Sequence, residues 1–164
     1  MNNFTTALEN IQHARLNDLV EYWKSIKKNQ FFPYRRDFNP VDIPKCLPHI
    51  VLVDVIDGNP KYQIRLAGSA VNPVYRTPIT GKYIEDFTFE GDRQEILAQY
   101  DHAVKHQVPT YLMGKMTTID GNQVSYERVI LPMTSDGKIV DKLLTGIHYF
   151  NVKQQHLDRP IFKL

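Results

Sequence analysis

The sequence predicts a fold that combines antiparallel β-strands with α-helices, and the clearest indication lies between residues 109 and 150. Three runs rich in Val, Ile, Leu, Thr and Tyr are separated there by Asp120-Gly121 and Asp136-Gly137. Asp-Gly between such runs is typical of a hairpin, because the turn needs residues that tolerate a positive φ. A further Asp-Gly pair at 57–58 separates two more strand-like runs. Two stretches with helical periodicity complete the pattern.

The composition is that of a soluble globular protein with one domain. The 164 residues are 42% hydrophobic and 23% charged, which is ordinary for a chain that buries its own core. A net charge of +2 is too small to indicate a nucleic-acid partner. The single cysteine, Cys46, excludes an internal disulfide and fits a reducing compartment. Without a signal peptide or a membrane-length apolar run, we expect a cytoplasmic, bacterial-style protein with no membrane partner.

The first predicted element is a helix over residues 6–28, and residues 1–30 form an N-terminal helical unit. Thr6 and Glu9 have the spacing of a capping box. Four apolar side chains recur every three or four residues and make one stripe: Leu16, Leu19, Trp23 and Ile26. Such a stripe packs on its own domain or also contacts a second copy of the chain. We predict a homodimer that uses it as the interface.

The next segments are a connector and a hairpin. Four prolines between residues 29 and 48 exclude a long helix or a central strand, so this stretch is an extended connector. Residues 49–56 and 61–67 then form two strands around the turn at 57–60.

The sequence pattern of residues 68–106 predicts a lid followed by a longer helix. Residues 68–91 have poor periodicity and several aromatic side chains, which is typical of short helices that cover a core or a pocket. Residues 92–106 read as a helix that Asp92 caps, with an apolar face that includes Ile96 and Tyr100.

Short catalytic and cofactor motifs are absent from the sequence. It contains no P-loop, no G-x-G-x-x-G, no G-x-S-x-G, no H-E-x-x-H and no C-x-x-C. His102 and His106 have the i, i+4 spacing of a metal pair, but both lie away from the apolar helix face. His49 reads as a structural histidine. We therefore predict neither catalytic residues nor a metal site.

The polar segment at residues 126–128 is the best candidate for a binding role. Alternation along a strand sends Tyr126 and Arg128 to one face and Glu127 to the other. A three-residue loop through Asp120-Gly121 places Lys115 near Glu127 on a wetter face, whereas a two-residue turn exchanges the faces. An inward arginine must find an anion or an acidic partner. Its role is therefore either a structural ion pair or a ligand contact.

Several segments, taken in order, resemble a family of short bacterial PAS-like proteins. They are Tyr22-Trp23, Pro33 with Arg35 to Asp37, Pro40 with Asp42-Ile43-Pro44, Leu47-Pro48-His49, Arg65-Leu66-Ala67-Gly68, Thr80-Gly81-Lys82-Tyr83, Tyr126-Glu127-Arg128 and Leu131-Pro132. Each segment alone is loose, but their order covers nearly the whole chain.

The resemblance implies an α+β fold with a five-stranded antiparallel sheet, helices on one face and an N-terminal helix extension. It assigns residues 31–152 to the PAS-like domain and 153–164 to a C-terminal tail. Flavin-binding relatives carry a cysteine in a helix motif, and Cys46 lies elsewhere. Haem-binding relatives use a histidine on the long helix, where His102 and His106 face outward. Neither flavin nor haem is therefore expected.

The resemblance further implies a non-catalytic sensory or regulatory module that binds a small molecule or a signalling protein partner. We expect the ligand between the aromatic lid and the sheet, contacted by Arg128, Tyr126, Met116, Leu112, Tyr75, Tyr83, Phe87 and Tyr100. Two alternatives stay open: a small enzyme with acid–base chemistry in the pocket, and a pure interaction module without a ligand.

Overall fold

The structure, a computed structural model, describes residues 4–88, 90–118 and 120–150, with only the backbone given for Phe87. Its strands are β1 (Ile50–Val55), β2 (Tyr62–Ala67), β3 (Thr110–Thr117), β4 (Gln123–Met133) and β5 (Lys142–Phe150). Its helices are α1 (Ala14–Lys27), α2 (Asn72–Tyr75), α3 (Ile84–Phe87) and α4 (Glu90–His106). Three short 3-10 turns lie in the proline-rich connector, at Arg35–Asp37, Pro40–Asp42 and Leu47–His49.

The five strands form one antiparallel sheet in the order β2-β1-β5-β4-β3, which confirms the predicted α+β architecture. The Asp-Gly turns behave as their chemistry requires, because Gly58, Gly121 and Gly137 all have positive φ. In the β3–β4 hairpin the Thr118 amide donates to the Asn122 carbonyl at 2.8 Å. This bond closes a three-residue loop and pairs Lys115 with Ser125, which is the three-residue alternative of the two that the sequence left open.

Both faces of the sheet are covered. On one face α4 packs across β3 and β4, and α3 lies against β2. On the other face α1 lies against β4 and β5, where the Trp23 indole N–H donates to the Pro132 carbonyl at 2.8 Å. Because of this double cover, every residue of β4 from Tyr126 to Met133 is buried.

The first helix begins later than predicted. It starts at Ala14 with His13 as its N-cap, rather than at Thr6. The preceding segment pairs instead with the edge strand β3, since the Thr5 and Tyr111 backbones exchange two hydrogen bonds of 2.7 and 2.8 Å. A strand-like pairing with the sheet therefore overrides the local capping-box pattern.

The apolar stripe of α1 packs on the chain's own sheet. Leu16, Leu19 and Trp23 are almost completely buried, and Ile26 packs partly buried against the same core. A methyl group of Leu19 lies over Gly146, whose missing side chain leaves the space that the helix occupies. The three buried side chains are therefore not available to a second copy in this structure, and the stripe no longer supports the predicted dimer interface.

The start of α4 also differs from the prediction. Asp92 lies inside the helix rather than at its cap, and its carboxylate accepts a hydrogen bond of 2.8 Å from the Thr117 amide. It thereby joins the helix to the end of β3. None of the helices in the described part of the chain combines the length and the hydropathy that crossing a bilayer requires. The predicted C-terminal tail, 153–164, lies outside the described residues.

Candidate functional site

A cavity of about 30 Å³ lies between the helices α2, α3 and α4 and the sheet. Aliphatic side chains from strands and helices make most of its wall. Six lining residues carry polar side-chain groups: Tyr75, Thr88, Tyr100, Arg128, Thr145 and Tyr149. An apolar wall with a few converging polar groups is the usual form of a small-molecule site.

Arg128 is the most unusual group at this cavity. The residue is 5% exposed, and its Nε donates a hydrogen bond of 2.8 Å to the side-chain oxygen of Gln99. The guanidinium carbon lies 5.0 Å from the centre of the Tyr126 ring and 5.6 Å from that of Tyr100. Its Nη2 is buried and has no hydrogen-bond partner among the described residues. No carboxylate of the described residues is within ion-pair distance. The cation is therefore held by aromatic faces and one amide, without a counter-charge.

Gln99 fixes the orientation of this arginine. Its side chain is completely buried on α4, and its amide nitrogen donates to the Thr110 hydroxyl at 3.2 Å and to the Arg128 carbonyl at 3.3 Å. With the nitrogen so placed, the amide oxygen points at Arg128 Nε. The sequence analysis missed Gln99, although a polar residue beside Ile96 and Ala103 on an apolar helix face was a readable signal.

Tyrosine hydroxyls connect the lid to the sheet beside the cavity. The Tyr149 hydroxyl of β5 donates to the Tyr75 hydroxyl of α2 at 3.4 Å, and the hydroxyls of Tyr100 and Thr145 lie 3.2 Å apart. Burial raises the pKa of Tyr75 to about 12 and raises the pKa of Tyr100 and Tyr149 as well. These hydroxyls therefore stay protonated at neutral pH and retain a proton to donate.

The structure brings some of the predicted ligand-binding residues together and leaves others aside. Arg128, Tyr75 and Tyr100 line the cavity. Tyr126 stacks on the guanidinium but does not line the cavity. It shares a strand face with Arg128, as the alternation along the strand predicted. The sequence analysis missed Tyr149, although its alternation with Thr145 and Ile147 along β5 placed all three on one face.

The remaining predicted residues do not line the cavity. Met116 is buried behind Tyr75, whose hydroxyl points to its sulfur at 3.9 Å, and Leu112 is buried in the core. Tyr83 is half-buried, and its backbone forms an isolated β-bridge with that of Gln63. The side chain of Phe87 lies outside the described part of the structure.

Glu127 lies on the opposite face of the sheet and is fully buried. The predicted pairing with Lys115 on a wetter face is therefore wrong, because α1 covers that face. The Glu127 carboxylate accepts hydrogen bonds from the backbone amides of Gln12, at 3.1 Å, and His13, at 2.5 Å. It also accepts one of 2.7 Å from the Tyr111 hydroxyl. This carboxylate fixes the point at which α1 begins.

Three histidines cluster beside Glu127. His13 at the start of α1 stacks on His148 of β5, with ring centres 3.8 Å apart, and His49 lies 4.8 Å from His13. The sequence analysis interpreted His49 as structural and did not single out the other two. Their separation along the chain hides the cluster from any search for local spacing.

Comparisons with known proteins agree with this architecture. A family model described as a PAS domain matches residues 11–148. The PAS domain of a protein from Colwellia psychrerythraea is 17% identical, with a TM-score of 0.54 over 69% of this chain and 98% of that one. The LOV protein of Rhodobacter sphaeroides is 12% identical, with a TM-score of 0.52 over 72% of each chain. A search of curated proteins finds no match. At these identities the solved structures establish the fold alone, whereas the family model covers well over half of the sequence. This chain belongs to the PAS domain family.

Proposed function

We propose that this PAS domain is a non-catalytic sensory module that binds a small anionic molecule in the cavity beneath α2, α3 and α4. PAS domains are typically sensory or signalling modules, which sets the class of function. The observation that carries the proposal is the Arg128 guanidinium, buried at the cavity with Nη2 unpartnered. An unsatisfied buried donor costs about 1–3 kcal/mol, and more when it is charged. An anion in the cavity removes that cost.

The size and the lining of the cavity define the ligand class. A cavity of about 30 Å³ has room for water or for a molecule of only a few non-hydrogen atoms. A planar carboxylate matches the forked donors of a guanidinium, and the protonated hydroxyls of Tyr75 and Tyr149 offer further donors. The aliphatic wall accommodates a short carbon chain. These properties favour a small carboxylate or a comparable anion.

The same lining favours binding over acid–base catalysis. The polar groups at the cavity belong to tyrosine, threonine and arginine side chains, none of which exchanges a proton near pH 7 in this setting. Glu127, the buried carboxylate, lies on the other face of the sheet with both oxygens occupied by hydrogen bonds. The alternative of a small acid–base enzyme therefore has no proton-transfer group among the described residues that line the cavity.

A ligand here has a route to the rest of the molecule. The hydrogen bond between Tyr149 and Tyr75 links the central strand β5 to the lid helix α2, and an anion on Arg128 competes for these hydroxyls. Rearrangement of this bond changes how the lid sits on the sheet. We propose that a signalling protein partner reads this change. We also propose that the protein forms a homodimer and is located in the cytoplasm.

Replacing Arg128 with Met is expected to abolish anion binding. Methionine fills a similar volume without charge, so the protein should stay folded while the anchor is lost. The measurement is the thermal unfolding midpoint during titration with formate and acetate. Binding to the native state raises the midpoint of the wild type in a saturable way and leaves that of Arg128→Met unchanged.

Two controls make this result specific. Arg65→Met removes an exposed arginine of β2 and should keep the wild-type response. Acetamide has the shape of acetate without its charge and should not raise the wild-type midpoint. Equal responses of the wild type and Arg128→Met to acetate would contradict the proposed site.

A further inference from the structure

A cluster of three histidines lies on the face of the sheet that α1 covers. His13 is the N-cap of α1, His49 ends the 3-10 turn before β1, and His148 lies on β5. One ring nitrogen of each lies within 4.8 Å of a nitrogen of the other two. Since Glu127 and Arg128 point to opposite faces of β4, this cluster is separate from the cavity.

Two nitrogens in this cluster lack any partner. Nδ1 of His13 and Nδ1 of His49 are buried and make no hydrogen bond within the part of the chain that the structure describes. Buried polar atoms are nearly always paired, so two orphans in one cluster require an explanation. A metal ion bound at these two nitrogens would be the missing partner of both.

The charges around the cluster favour a cation. Glu127 is buried next to it, opposite His148 in the β4–β5 register, and no side-chain nitrogen of a Lys, Arg or His among the described residues lies within ion-pair distance of its carboxylate. Arg15, a positive side chain that acts on His13 and His49, pairs with Asp18 on the surface. Each imidazole offers a metal the lone pair of one ring nitrogen.

We propose that His13, His49 and His148 bind one divalent transition-metal ion of the zinc class. Three imidazoles with a free fourth position are an established zinc ligand set, with nitrogens about 2.0–2.1 Å from the metal. The nitrogens around such an ion lie about 3.4 Å apart, so binding brings them closer than the 4.8 Å within which they lie in this structure. Glu127 positions His13 by accepting a hydrogen bond from its backbone amide. Its negative charge balances part of the metal charge. The ion connects the start of α1, the connector and β5.

The test is zinc binding by the untagged, chelator-treated full chain, measured by isothermal titration calorimetry with zinc chloride. We expect one ion per chain, with His49→Asn and His148→Asn each lowering the affinity more than about 100-fold. The matched control is the double variant His102→Asn/His106→Asn, which removes the other pair of neighbouring histidines and should bind as the wild type does. Circular dichroism verifies the fold of each variant.

A measurement on the wild type makes the test independent of variant folding. In long-range proton–nitrogen NMR spectra, titration with zinc should change the ring-nitrogen chemical shifts of His13, His49 and His148. Those of His106 should stay unchanged. Absence of zinc binding by the wild type would overturn the proposal. So would binding that survives in His49→Asn and His148→Asn but disappears in the His102/His106 variant.

Discussion

Replacing Glu127 with Leu is expected to lower the free energy of unfolding by about 3–5 kcal/mol. The carboxylate is fully buried and accepts hydrogen bonds from the amides of Gln12 and His13 and from the Tyr111 hydroxyl. Leucine leaves these donors without an acceptor. A hydrogen bond to a charged group contributes about 1.5–3 kcal/mol, and the exposed position of Gln12 lets water replace part of the loss. Urea unfolding monitored by the fluorescence of Trp23 measures the change.

Matched variants separate the lost acceptor from the lost charge. Glu127→Gln keeps one oxygen acceptor at the same place, so its loss should be clearly smaller than that of the leucine variant. Glu21→Gln removes a charge from the exposed face of α1 and should leave stability within about 0.5 kcal/mol of the wild type. A leucine variant as stable as the wild type would show that Glu127 does not hold α1 on the sheet.

Replacing Gly68 with Ala is expected to destabilise the fold by at least about 3 kcal/mol. Gly68 follows β2 and is buried, with its amide donating to the Ile50 carbonyl at 2.8 Å. A methyl group there would collide with the carbonyl oxygens of Leu47 and Pro48 and lie 2.6 Å from the Pro48 carbonyl carbon. These are backbone atoms, so relief requires moving the connector rather than turning a side chain. The midpoint of chemical unfolding measures the effect.

Gly91 is the natural control for this substitution. A methyl group at Gly91 has no atom within 4 Å, and the residue lies in the first turn of α4. Because alanine is the better helix former, Gly91→Ala should keep or slightly raise the stability. Equal losses for the two alanine variants would contradict the steric account of Gly68.

Local sequence chemistry predicted the sheet well. The Asp-Gly pairs at 120–121 and 136–137 placed the hairpins, because these turns need positive φ. The loop length at 120–121 stayed open between two and three residues, and the structure has three, which puts Arg128 and Tyr126 on the face that α4 covers. Alternation along the strand had already placed these two side chains on one face.

The errors about the dimer interface and Glu127, and the missed histidine cluster, share one physical cause, the cover on the second face of the sheet. The stripe of α1 matched both a dimer contact and the chain's own sheet, and periodicity does not distinguish them. Once α1 packs there, Glu127 is buried. Its carboxylate then accepts hydrogen bonds from backbone amides that lie more than 100 positions earlier in the chain. The clustering of His13, His49 and His148 depends on the same packing. Contacts of such sequence separation leave no local pattern.

The central claim is that the cavity at Arg128 is an anion site, and a crystal structure in the presence of bromide tests it most directly. Bromide scatters anomalously, so its position is read without reference to the shape of the ligand. The account predicts an anomalous peak inside the cavity within hydrogen-bonding reach of Arg128 Nη2, and none there in Arg128→Met crystals. Bromide peaks confined to the surface, with only water beside Arg128, would contradict it.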